Sequence, residues 1–120
     1  PVYSNTKLAL LLFTMELAER LRGKGITVNA ADPGIVSTNM ITMHQWFDPL
    51  TDLFFRPFIR TPRKGASTAI GLLLDEKETG VTGQLYAGNH RKELPDNYVH
   101  HVQKEQLWEI TEQLLAQWFT

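Results

Sequence analysis

The segment VYSNTKLALLLFTMELAERL, residues 2 to 21, constrains this chain more than any other feature. Leu, Ala, Glu, Met and Arg fill it, all strong helix formers, and Gly23 stands where a C-terminal cap belongs. A helix over residues 2–22 is the expectation. Its apolar positions, Leu8, Leu10, Leu11, Leu12, Phe13, Met15, Leu17 and Leu21, wrap most of the way round. A helix apolar on more than one side must be buried on more than one side. Whatever else the chain does, it has to supply or find that cover.

The remaining segments offer limited cover. ITVNAAD, residues 26–32, reads as a short buried strand, followed by the loop DPGIVSTN, residues 32–39. Residues 40–60 mix Met and aromatic side chains with Pro49 and Pro57, which forbid one continuous helix. Thr61 and Pro62 suit the N-cap and first position of a second helix ending about Asp75. GQLYAG, residues 83–88, reads as another strand, and residues 97–118 as a last helix. The order helix, strand, lid-like loop, helix, strand, helix predicts an α/β fold with parallel strands. Two strands cannot bury a two-sided helix, so the expectation is the C-terminal part of a larger α/β domain.

Composition narrows the function. At 120 residues with a formal net charge of −1, the chain lacks the basic face of a nucleic-acid binder. It has no cysteine, which removes disulfides, thiol nucleophiles and Cys-ligated zinc. A reducing, cytoplasmic location is the corresponding expectation. The apolar run LALLLF is too short to span a bilayer.

Two groups of residues carry possible chemistry. Tyr3 and Lys7, four apart, share one face of the first helix. An ammonium that close favours the phenolate by Coulomb attraction, which suits a tyrosine for general acid–base work. Some 25 residues later, Asp32-Pro33-Gly34-Ile35-Val36-Ser37-Thr38 leaves the carboxyl end of a strand, where open α/β sheets bind ligands. Either group alone has a bland reading, as a chance spacing or a common turn.

Together they resemble the short-chain dehydrogenase/reductase family. YSNTK matches its Tyr-x-x-x-Lys motif, and ITVNAADPGIVST matches the strand and Pro-Gly-x-Val-x-Thr turn that follow it. Residues 3–38, TPRKGASTAI and LWEITEQLL look particularly like the retinol-dehydrogenase-like branch. The resemblance implies a Rossmann-type doubly wound parallel sheet, with residues 1–120 as the C-terminal portion of one NAD(P)-binding domain. It implies that Tyr3 is the proton donor or base, and that Lys7 eases its ionisation and binds the nicotinamide ribose. Pro33, Gly34 and Val36 would line the nicotinamide pocket, and Thr38 would contact the amide or phosphates. Residues 40–60, with Met40, Met43, Trp46, Phe47, Phe54 and Phe55, would form a substrate lid. The cofactor would be NAD or NADP, and the substrate a small hydrophobic alcohol or carbonyl compound.

The family's Gly-rich phosphate loop, its Asn-Asn-Ala-Gly segment and its catalytic Ser and Asn are absent from this sequence. The 120-residue chain by itself is therefore expected to be inactive. A non-catalytic binding or regulatory protein on the same fold is the alternative, followed by a sugar-nucleotide epimerase or dehydratase. Asp48 and Asp52 interrupt the apolar residues of the lid and argue against membrane contact there. His100 and His101, adjacent on a helix, cannot chelate one metal and are expected to be exposed, and no metal site is expected. Arg60, Arg63 and Lys64 read as a solvated helix start. The last helix, with Trp108, Trp118 and Phe119, either caps the sheet or joins a second subunit, and the second apolar side of the first helix would suit a homodimer.

Overall fold

The structure, a computed structural model, describes residues 2–34, 36 and 61–119. The elements in order are α1 (Val2–Arg20), β1 (Ala30–Asp32), α2 (Pro62–Leu74), β2 (Leu85–Ala87), β3 (His90–Lys92), α3 (Asp96–Val99) and α4 (Gln103–Leu115). Short 3-10 turns follow α2 at Glu76–Glu78 and α4 at Ala116–Trp118. The strands form one sheet in the order β1-β2-β3.

The chain divides into two compact units. The first comprises Pro1–Ala30, Thr79–Leu85 and Lys92–Thr120. Here α1 packs against α3 and α4. Leu12, Met15 and Ala18 are buried, while Val2 and Leu10 are exposed, so the apolar wrap is covered chiefly over the second half of the helix. Phe13 stacks on Trp108 of α4 with ring centroids 5.1 Å apart and planes 14° from parallel. The Arg20 guanidinium lies 4.6 Å from the Trp108 ring and also pairs with Glu16 at 2.7 Å. Glu16 is buried, so this partner matters: an unpaired carboxylate there would keep its desolvation cost without compensation. Lys104 donates to Glu19 at 2.9 Å and holds that carboxyl below its ordinary range. The pair's contribution to stability is present above the ordinary carboxylate value and fades as pH falls through the lowered one. Glu19 is half-exposed, so the contribution is small.

The first strand is shorter than the 26–32 expected, and side chains explain why. Gly83 N–H donates to Val28 O and Ala30 N–H to Gln84 O, each at 2.8 Å, so the pairing advances in the same sense on both segments, as parallel strands require. Between these bonds Thr82 Oγ1 accepts from Val28 N–H. Asn29 donates from Nδ2 to Val81 O and accepts at Oδ1 from Gln84 N–H. Polar side chains thus take over backbone partners and the regular ladder begins only at Ala30.

The last helix also differs from the single span 97–118 expected. It breaks at 100–102, where His101 Nδ1 accepts from Gln103 N–H at 3.2 Å and caps the start of α4. His100 is exposed, as expected, but His101 is half-buried and has this local structural role.

The second unit comprises Ala31–Glu78 and Tyr86–Arg91. α2 starts as the sequence predicts: Thr61 accepts from Lys64 N–H and Pro62 opens the helix. On its buried face, Thr68 donates to Asn89 Oδ1 at 3.0 Å and accepts from Asn89 N–H at 3.2 Å. Asn89 and Gly88 have φ of 64° and 60°, the pair of left-handed residues that a tight type I′ turn needs. That turn creates β3, a strand the sequence reading leaves out. His90, Arg91 and Lys92 are all exposed and carry no apolar alternation; the available signal was the Gly-Asn dipeptide.

Tyr86, the buried residue of β2, donates its hydroxyl to Glu78, and the Arg91 guanidinium lies 3.5 Å from the same carboxylate. Burial first, and the Glu78 bond second, raise the phenol above its ordinary value near 10. A raised folded value means that the stabilisation is fully present below the ordinary pKa and is lost as pH rises through the folded one. Tyr86→Phe is therefore expected to flatten the decline in stability above about pH 10, measured by urea unfolding across a pH series. An unchanged alkaline limb in the variant would contradict this assignment.

Candidate active site

Tyr3 and Lys7 lie in the first two turns of α1, in the first unit, and both are exposed. Lys7 Nζ stands 5.4 Å from the centroid of the Tyr3 ring. Helical spacing brings the two together, and the cation attracts the ring face at that distance. An open cavity of about 420 Å³ between α1 and α4 is lined by Asn5, Leu8 and Leu12. At 100° per residue those positions lie on the opposite side of α1 from Tyr3 and Lys7, so the groove is separate from the pair.

Asp32, Pro33 and Gly34 belong to the second unit and are exposed. Gly34 has φ 71° and its N–H donates to Asp32 Oδ1 at 2.8 Å. The aspartate side chain therefore closes the turn, and the left-handed residue that the turn needs is the glycine. Val36 is half-buried. It meets α2 at Gly65, a contact that the sequence reading did not single out; the available signal was a glycine in the interior of a helix. Thr38 and the lid residues Met40, Met43, Trp46, Phe47, Phe54 and Phe55 lie outside the described residues, as does Arg60. Arg63 and Lys64 are exposed on the first turn of α2, as expected of a solvated helix start.

The pair on α1 fits one part of a nicotinamide dinucleotide. A phenol hydroxyl and an ammonium, both accessible, are hydrogen-bonding groups of the kind that a ribose diol can engage. Among the described residues no cluster of three or more His, Cys, Asp or Glu could hold a metal ion. No helix among them is long and apolar enough to cross a membrane.

Residues 1–46 match the family model for short chain dehydrogenases. Retinol dehydrogenase 14 from Homo sapiens is 38% identical over 117 residues, covering 95% of this chain and 35% of that protein. Retinol dehydrogenase 12 from Homo sapiens is 34% identical over 114 residues, covering 95% of this chain and 36% of that protein. Dehydrogenase/reductase SDR family member 13 from Bos taurus is 35% identical over 114 residues, covering 93% of this chain and 30% of that protein. The chain thus spans about a third of the length of the curated relatives it matches. No solved structure matches it. The chain belongs to the short-chain dehydrogenase/reductase family, and its helices and sheet are those of an α/β, Rossmann-type fold. Within the family it sides with the retinol-dehydrogenase-like branch.

Proposed function

We propose that the protein carrying this chain is an NAD(P)-dependent oxidoreductase that interconverts an alcohol and a carbonyl. The observation that supports this most directly is the exposed Tyr3 with Lys7 Nζ 5.4 Å from its ring. When bound, the nicotinamide ring supplies or accepts the hydride. In reduction the Tyr3 hydroxyl donates a proton to the carbonyl oxygen as negative charge develops there; in oxidation its phenolate takes the alcohol proton. Lys7 offers its N–H groups to the ribose hydroxyls. Pro33, Gly34, Val36 and Thr38 are assigned to the nicotinamide side of the cofactor pocket. Met40, Met43, Trp46, Phe47, Phe54 and Phe55 are assigned to an apolar lid over the substrate. The names of the retinol dehydrogenase relatives support a hydrophobic, terpenoid-like alcohol or aldehyde as the substrate class.

We read residues 1–120 as the Tyr–Lys portion of a single nicotinamide-binding domain, working in a reducing, cytoplasmic environment, with a homodimer as its assembly. The test is to titrate the whole protein with NADH and with NADPH, then supply a long-chain aldehyde and follow loss of the reduced cofactor. Saturable binding of either cofactor with turnover is expected. Binding of neither would sink the proposal, and binding without turnover of any apolar aldehyde or alcohol would favour a binding protein on the same fold. The 120-residue chain alone is expected to turn over nothing.

A further inference from the structure

We infer that Gly65 is a positioning residue: its missing side chain sets how close Val36 comes to α2, and through Val36 it tunes cofactor affinity. The inference rests on the reading above that Val36 lines the nicotinamide pocket. A Cβ built at Gly65 would lie 2.5 Å from Val36 Cγ2 and 3.2 Å from Cγ1. Carbon atoms settle at about 3.5–4.0 Å, so an alanine there cannot coexist with Val36 in its present place. Rotating Val36 offers little relief, because β-branched side chains are stiff at χ1 and both γ-methyls already face the glycine.

Nor can α2 readily back away. Its first turn is kept in shape by the Thr61 cap, with Gly65 N–H donating to Thr61 O at 2.9 Å and Thr61 accepting from Lys64 N–H. Three residues past Gly65, on the same side of the helix, Thr68 is 2% exposed and bonded in both directions to Asn89. With the helix tied to the β2–β3 turn three residues past Gly65, Val36 is what must move. Val36 is assigned to the nicotinamide side of the cofactor pocket, so its displacement reads out as weaker cofactor binding. Helix propensity works against any rival account, because alanine is a far better helix former than glycine and would by itself strengthen α2.

The experiment compares the whole protein with Gly65→Ala, Val36→Ala and the double variant Gly65→Ala/Val36→Ala. It measures the Kd of the reduced cofactor by fluorescence, KM and kcat with an apolar aldehyde, and thermal stability. Gly65→Ala is expected to raise Kd and cofactor KM about tenfold while leaving kcat within about threefold. Trimming the two γ-methyls removes the clash, so the double variant should bind cofactor as Val36→Ala does. Wild-type affinity in Gly65→Ala, or a loss that Val36→Ala does not rescue, would overturn the inference while leaving the oxidoreductase reading intact. If Gly65→Ala does not fold, the double variant set against Val36→Ala decides, and weaker binding by the double overturns the inference. Wild-type protein that binds neither NADH nor NADPH sinks the inference together with the reading it rests on.

Discussion

Tyr3→Phe in the whole protein is expected to lower kcat by about 10³-fold, the range for removing a general acid–base group, with the Kd for the reduced cofactor rising no more than about tenfold, the worth of one hydrogen bond. The substitution deletes one oxygen atom. It keeps the ring, and with it the contact that the Lys7 ammonium makes 5.4 Å from the centroid. Tyr3 is 69% exposed, so the change costs the fold little, and a matched thermal melt should show it. Lys7→Met is expected to behave differently. It removes both the positive charge beside Tyr3 and the donors assigned to the ribose, so cofactor binding and turnover should fall together. If Tyr3→Phe retains more than about a tenth of wild-type kcat, the proton passes through another group and the assignment of Tyr3 fails.

Trp108→Ala should be the most destabilising single change in the first unit, at about 3 kcal/mol by urea unfolding of the whole protein. Trp108 joins α4 to α1 in two ways, through the stack on Phe13 and through the Arg20 guanidinium over its ring. Arg20 in turn holds the buried Glu16, so truncating the indole loosens the partner of a buried carboxylate as well as the aromatic contact. Trp108→Phe is the discriminating control. The indole Nε1 is buried and has no hydrogen-bond partner among the described residues. Losing it forfeits no bond, and phenylalanine keeps an aromatic face, so this variant should cost about 1 kcal/mol or less. A Trp108→Ala variant within about 0.5 kcal/mol of wild type would show that the stack does not hold α4 in place.

Much of this architecture was legible in the sequence because local rules and burial agreed there. The Thr-Pro start of α2 and the long apolar run of α1 are signals a few residues long, and the structure follows both. The features that escaped are those where side chains do backbone work. Asn29 and Thr82 take over ladder bonds and shorten the first strand, and His101 caps α4 and splits the last helix. Periodicity of apolar residues is silent about such bonds. The third strand escaped for a related reason: three exposed polar residues leave no hydrophobic pattern, so only its turn announces it. For the candidate site, the Tyr3–Lys7 proximity follows from helical spacing alone. The Val36–Gly65 contact joins residues 29 positions apart and could not be read from any short motif.

The hairpin turn at Gly88 and Asn89 has a bearing on solubility. It places His90, Arg91 and Lys92 on the strand that ends the sheet order among the described residues. An edge strand exposes unpaired backbone groups that can recruit a strand from another molecule, and positive charges along such an edge repel an identical copy. Through this hairpin the sheet formed by the described residues has a short, strongly hydrated rim, poorly suited to template aggregation.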